Sequence, residues 1–553
     1  MQSRTLRRGL SALVTVAVCG ALLTFFARPV QTRTPAPNRL YGADKGATES
    51  WDMFGGTLQR NMVNTFEKNV PTEWDVESKK NIKWAADLGS RAYGGPVVHG
   101  GKIFIGTNNE GPRNPKIKGD KGIVMCFGEK DGKFLWQAVH DKLASGMVND
   151  WPREGICSTA YAEGNRIYYV SNRAELICAD TEGFLDGKND GVQDEGEYKG
   201  PTDADIIWRL DMMKELDVFP HNLATSSPLV VGDLIFLVTS NGVDEGHINL
   251  PSPKAPSFIC VNKKTGKLVW QDNSPSKKLA DGLATAADQD AFLRRLQDRG
   301  EKVLHGQWSN PAYGVINGKP QVIFPGGDGW VYAMEPETGK HIWKFDCNPK
   351  AAFYVLGGRG TRNEIIGTPV IHENKVYVGV GQDPEHGEGV GNLWCIDMTK
   401  TGDVSSETVI DANVKPPKTE PNKNSAMVWH FGGPTNGGAR DFFFGRTMST
   451  CAVHDGLVYI SELGGFLQCL DAKTGKQVWE YDLKAAIWGS PAWIDGKIYI
   501  GTEDGDVHIL QAGREKKVIG VREMKHGVKS TPIAVNGTLY IMTETTLYAI
   551  GNQ

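Results

Sequence analysis

Cysteine is scarce in this chain, nine in 553 residues, and the spacing of those nine excludes more than their number does. No two are adjacent and neither C-x-x-C nor C-x-x-C-H occurs, so a disulfide between neighbouring cysteines, a thiol-redox pair and a covalently held c-type haem have no sequence basis. Long runs of one charge are missing as well. Lys and Arg number 61 against 65 Asp and Glu, a net charge of -4, and a nucleic-acid binder would need a basic face that this balance does not supply. G-x-S-x-G, H-E-x-x-H and a phosphate loop are also absent, which removes the common motif-bearing hydrolases and nucleotide binders.

One apolar run stands out, Gly9 to Phe26, preceded by Arg4, Arg7 and Arg8 and followed by PVQTRTPAPN. Basic, then apolar, then polar is the order of an export signal, and eighteen residues suit either a cleaved signal or a retained anchor. Residues 1–26 therefore read as signal peptide or membrane anchor and 27–50 as a Pro-rich linker. The remainder is expected in the periplasm or cell envelope, touching a membrane only through that N-terminal segment.

What the chain has in abundance is repetition. CFGEKDGKFLW (Cys126 to Trp136), CVNKKTGKLVW (Cys260 to Trp270), AMEPETGKHIW (Ala333 to Trp343) and CLDAKTGKQVW (Cys469 to Trp479) share one frame: a small residue, a polar turn ending in Gly-Lys, and a Trp ten positions on. The Gly suits a tight turn between hairpin strands, and a large aromatic fixed in every repeat suits a wedge against the neighbouring repeat. Cys178 to Trp208 and Cys395 to Trp429 are the same frame stretched by insertions. A second marker, a Gly/Ser/Thr step before an apolar strand, occurs eight times, at Pro96, Ala160, Pro228, Pro311, Pro369, Cys451, Pro491 and Pro532. The seventh repeat has no Trp, and the eighth ends at LYAIGNQ before its Trp strand, whose counterpart is NIKWAADL with Trp84 at the front. Pairing those two ends closes a ring and removes exposed sheet edges. The fold class is all-β, an eight-bladed β-propeller of four-stranded blades within residues 51–553, its repeats beginning at about 84. The cysteines at the head of the frame (Cys126, Cys178, Cys260, Cys395 and Cys469) then fall on different blades, too far apart to bridge, and read as small buried residues.

The A-x-D-x-x-T-G-x-x-x-W frame resembles the tryptophan-docking repeat of the pyrroloquinoline quinone (PQQ) propeller superfamily, across residues 84 to 553. That superfamily includes quinoprotein alcohol dehydrogenases and non-enzymatic BamB-type proteins of outer-membrane assembly. The dehydrogenase branch implies PQQ, Ca²⁺, a Trp and disulfide sandwich and a carboxylate base. This chain departs from it by lacking adjacent cysteines. The leading expectation is an exported, non-catalytic binding or scaffold propeller like BamB. The alternative is a PQQ- and Ca²⁺-dependent alcohol or sugar dehydrogenase.

Residues just ahead of each inner strand are expected round one mouth of the central channel. They include Arg153, His221, Trp308, Arg359, Arg362, Arg446, Trp488, Lys525 and Lys529, a cationic rim with two indoles. Guanidinium groups in a concave site bind carboxylate or phosphate, so an anionic small molecule, an acidic glycan or a protein loop would suit it, as would PQQ with its three carboxylates. In the dehydrogenase reading Trp308 or Trp488 is the ring platform, Arg359, Arg362 or Lys529 a carboxylate clamp and Glu364 the base.

Three insertions decorate the ring. DGKNDGVQDEGE resembles an EF-hand calcium loop with Asp186, Asp190, Asp194 and Glu197 as ligands, although Lys188 stands where a ligand belongs. Residues 284–301 put Phe292, Leu293 and Leu296 on one helical stripe. DPEHGEGVGN gathers Asp383, Glu385, His386 and Glu388, a lone His among carboxylates. The stretch PPKTEPNKNS after Val414 reads as a loop.

Overall fold

The computed structural model describes residues 50–298, 304–355, 359–435, 437 and 440–551, with Asp290, Gln297, Asp298, Val355 and Arg359 described by their backbone alone. The proposed signal or anchor and nearly all of the linker lie outside the described residues. Among the described residues, no helix is long and apolar enough to cross a membrane.

Eight sheets, each with four antiparallel strands and two of them with a short parallel fifth, make up the propeller. Their innermost strands, blades one to eight in turn, are Val97–His99, Tyr161–Glu163, Leu229–Val231, Ala312–Ile316, Val370–His372, Ala452–His454, Ala492–Ile494 and Ile533–Val535. The outermost strand of the last blade is Ile82–Asp87, pairing with Thr546–Ile550 in the register Trp84 to Ala549, so the ring closes through its N-terminal strand.

The frame residues find their physical reason in this register. Cys126, Cys178, Cys260, Ala333, Cys395, Cys469 and Ala549 each face a Trp directly across two strands: Trp136, Trp208, Trp270, Trp343, Trp429, Trp479 and Trp84. A small side chain there leaves room for the indole. Six of those indoles reach the next blade and donate Nε1–H to a carbonyl there: Trp84 to Glu129, Trp136 to Thr181, Trp208 to Lys263, Trp270 to Pro336, Trp429 to Ala472 and Trp479 to Gly513, at 2.8–3.1 Å. Trp343 instead bonds Gln321 of its own blade. The frame glycine has two duties. Gly266 has φ of +68°, and a Cβ there would also stand 2.6 Å from the Trp208 ring. All eight cysteines of the described chain are free.

Blade seven shows what happens without the wedge. Gly520 occupies the Trp position, opposite Ile509 rather than a small residue. Trp74, from the segment ahead of the ring, is buried between the seventh and eighth sheets and donates to Met524 Sδ at 3.0 Å. Arg522 secures that segment through the Thr72 carbonyl at 2.9 Å.

The segment ahead of the ring has a second role. Trp51 pairs with Val98, and the carbonyls of Asp52, Leu58, Gln59 and Met62 accept from the amides of Ala162, Tyr313, Ile371 and Trp493. Asn61 pairs with Val453 and Asn64 donates to Ala534. These partners are the second marker residue plus two in seven blades, so one short thread crosses the ring and bonds the same position of almost every blade. Arg60 serves the remaining blade: fully buried, it donates to the carbonyls of Phe54, Ser227, Pro228 and Pro311. Burial pulls its guanidinium down to about 9. The thread caps the end of the channel where first and second strands turn.

The insertions differ from expectation in detail. The helical stripe belongs to two helices, Ser274–Thr285 and Gln289–Asp298, rather than one over 284–301, because Phe292 folds back over Gly282 and forces a corner. Part of PPKTEPNKNS is a strand, Lys418–Pro421, which pairs with Glu407–Asp411 in a separate ribbon.

Candidate functional site

The loops entering the innermost strands meet the loops between second and third strands at the end opposite the thread. Backbone bonds tie them together: His221 N to Ser240 O, Val243 N to His305 O, Gly381 N to Glu364 O, Leu463 N to Arg446 O and Val528 N to Thr502 O. The histidine-bearing loops lie over blades three to five.

Three imidazoles converge there. His221 and His305 enter blades three and four, and His247 comes from the insertion between the second and third strands of blade three. Their ring centroids are 4.6–4.9 Å apart. Gly242 permits this approach, since a Cβ there would meet the His221 Cβ at 2.7 Å. Trp308 packs on His221 and His305 and donates to the His221 carbonyl at 3.0 Å, so this indole is a wall of the cluster. His221 Nδ1 lies 2.9 Å from the Val243 carbonyl, and a carbonyl can only accept, which puts the proton on Nδ1. His305 Nδ1 faces Glu364 at 2.9 Å and Asp383 at 3.3 Å. Asp383 also meets His386 at 3.1 Å. Burial, with the neighbouring histidines, pushes the His221 pKa down to about 3. His247 is lowered for the same reasons. His305 is raised: burial opposes its charge, but the Glu364 hydrogen bond and the two carboxylates outweigh it.

The other expected rim residues fall into separate groups. Arg446 pins the blade-five insertion, donating to the carbonyls of His386 and Gly387 and to Gln382. Arg362 turns inward, to the Asp328 carbonyl and to Asp346 at 3.1 Å. Lys529 sits across the ring, between Glu503 at 3.2 Å and Glu544 at 2.9 Å, with its ammonium over Trp488. Arg153 pairs with Glu110 and Lys525 with Glu77, both more exposed. The Arg359 side chain lies outside the described residues. The structure thus joins His221, Trp308, Glu364 and Arg446 in one neighbourhood, places Trp488 and Lys529 in a second, and engages the described rim cations with acids or carbonyls. His247 was missed from sequence because it lies in an irregular insertion. Its signal was an extra His in a chain with only 12.

The cavity at the centre of the channel is small for PQQ. The cavity between the thread and Tyr93, Trp488 and Lys529 holds about 90 Å³, whereas sites for small organic ligands run to roughly 300 Å³ or more. One convergent group is three imidazoles, which suit transition metals, and the other sets Glu364 and Asp383, with carboxylate oxygens, against His305. In the blade-two insertion, Asp186 pairs with Lys188 at 3.1 Å and Asp194 with Arg209 at 2.7 Å, while Asp190 and Glu197 are exposed. Among the described residues, the groups whose ligand atoms lie within 4.8 Å of one another are His221/His247/His305 and His305/Glu364/Asp383.

Fold and repeat define the class: a propeller of the PQQ-repeat superfamily. Within that class the chain belongs to the family described as outer membrane protein assembly factor BamB, whose profile matches residues 200–404 and again 327–550. Similarity to curated proteins is local. BamB of Xanthomonas campestris pv. campestris is 40% identical over 77 residues, 12% of this chain and 19% of that protein. The 1-butanol dehydrogenase (cytochrome c) of Thauera butanivorans is 45% identical over 56 residues, 9% of this chain and 8% of that one. Among solved structures, a europium-containing methanol dehydrogenase superposes with a TM-score of 0.55 at 13% identity, covering 92% of this chain and 98% of its own. The quinohemoprotein alcohol dehydrogenase ADHIIG of Pseudomonas putida HK5 gives 0.53 at 13% identity, covering 91% and 80%. At such identities these neighbours show the fold alone.

Proposed function

We propose that this chain is an exported, non-catalytic binding propeller of the BamB kind, which holds a protein partner over the loop-bearing end of the ring. The observation that carries this reading is the set of exposed apolar side chains at that end. Met147, Ile248, Phe353, Val390 and Phe443 stand on five different loops, each more than a third exposed. Exposed Phe and Met side chains on the loops of a rigid scaffold suit the anchors of a protein interface. The engagement of Arg362, Arg446 and Lys529 within the protein favours these apolar anchors over an anionic ligand held by free cations. The small cavity between the thread and Trp488 supports the non-catalytic branch over the dehydrogenase.

Photo-crosslinking residues at positions 353 and 443 test this in cells, with position 518 on an outer strand as control. The reading expects one shared adduct from the first two and none from the third. Adduct patterns that match the control would overturn it. Phe353→Asp and Phe443→Asp are expected to release the same partner, each anchor contributing about 2 kcal/mol.

A further inference from the structure

The three histidines over blades three and four have an unusual feature: their rings crowd together and each keeps a nitrogen with no hydrogen bond. His221 and His305 are almost wholly buried, at 0% and 1% exposure. Their Nε2 atoms, and that of His247, are buried with no hydrogen-bond partner. Desolvating a polar nitrogen without a partner costs free energy, and doing so three times at one point calls for an occupant. The outer face of the cluster is ordered for that purpose. The Val243 carbonyl holds the proton of His221 on Nδ1, and Glu364 faces Nδ1 of His305, so in both rings Nε2 is left as the lone-pair donor. A carboxylate or carbonyl behind an imidazole is the arrangement that orients metal-ligating histidines. The second cluster, His305 with Glu364 and Asp383, is the back of the same ring, and its contacts already occupy Nδ1.

We propose that the Nε2 atoms of His221, His247 and His305 bind one divalent transition-metal ion of the zinc–copper class. Imidazole suits these ions, while calcium and magnesium prefer oxygen. One nitrogen of each ring lies within 4.8 Å of one nitrogen of each of the other two. Drawing them onto bonds of about 2.0–2.1 Å needs only a modest closure of the rings. His247 is the mobile partner in that closure, being half-buried on a loop tip with φ of +56°. Three protein ligands leave one position of a tetrahedral ion for water or for a donor from outside. The proposal is independent of the protein-docking reading, since an ion here needs no partner.

The test uses the full, untagged chain, stripped with a chelator and titrated with Zn²⁺ by calorimetry and with Co²⁺ by visible spectroscopy. One equivalent of zinc should bind with sub-micromolar affinity, and Co²⁺ should give the ligand-field bands of a four-coordinate nitrogen site. His247→Asn and His305→Gln should each weaken zinc by about 100-fold or more, and Glu364→Gln by about 10–100-fold. His140→Gln, in another blade, should leave it unchanged. If His305→Gln fails to fold, His247→Asn still decides, because its backbone conformation accepts Asn. Substoichiometric zinc, or zinc binding that His247→Asn leaves intact, would overturn the proposal.

Discussion

The two ends of this channel are built on opposite terms. At the threaded end, residues 51–64 meet the same strand position in seven blades, and even the buried Arg60 has all its described bonds to carbonyls. At the loop-bearing end, insertions of unequal length bring together histidines and carboxylates with several buried atoms lacking a hydrogen bond, among them Glu364 Oε2 and the Nε2 atoms of the three histidines. Satisfied polar groups stabilise a fold, whereas unsatisfied ones are tolerated where a site needs them. The contrast fits a stabilising role for the threaded end and the binding role proposed for the other.

Arg60→Met should damage the molecule most. It strands four carbonyls, and a loss of about 4 kcal/mol is expected in chemical unfolding, since each unpaired buried acceptor costs roughly 1–3 kcal/mol and the terms do not add fully. A midpoint within error of the wild type would break the comparison at its root. Trp74→Ala comes next, at about 3 kcal/mol, because it empties the wedge that blade seven lacks in its own strand. Limited proteolysis of that variant should cut first in residues 65–80.

At the other end the sign changes. His247→Asn removes an unpaired nitrogen and keeps a residue that accepts positive φ, so stability should stay within about 0.5 kcal/mol while zinc binding falls. Equal destabilisation by His247→Asn and Arg60→Met would mean the two ends do not differ.

The smallest effect concerns pH. His99 bonds Asp52 of the thread at 2.7 Å, and that hydrogen bond raises its pKa. A raised histidine stabilises fully below its unfolded value of about 6.5 and loses that contribution as pH rises through the folded value. The gap in unfolding midpoint between wild type and His99→Gln should therefore be wider at about pH 6 than at about pH 9, by about 0.5 kcal/mol or less given solvent screening. A gap that widens toward alkaline pH would contradict the sign.

Much of the fold was legible because a repeat states its rule many times. Cys126 facing Trp136, and the same pair recurring through Cys469 and Trp479, follow from a frame read without coordinates. The closure by Trp84 followed from a Trp strand missing at one terminus and present at the other. The site was less legible for the converse reason. Nothing in the repeat indicates that Arg362 turns to Asp346, or that His247 reaches His221 and His305, because those side chains sit in the parts where repeats differ.

The blade count, the wedges, the closing strand and the place of the small residues were all readable from the chain alone, since each depends on local period and on a neighbour at fixed spacing. The capping of the channel by residues 51–64, the place of Trp74 in a missing wedge and the meeting of three histidines came instead from how distant segments fold together. Those relations join segments far apart in the chain. Which of them meet is set by ring closure and by the path of irregular loops, and neither leaves a period to read.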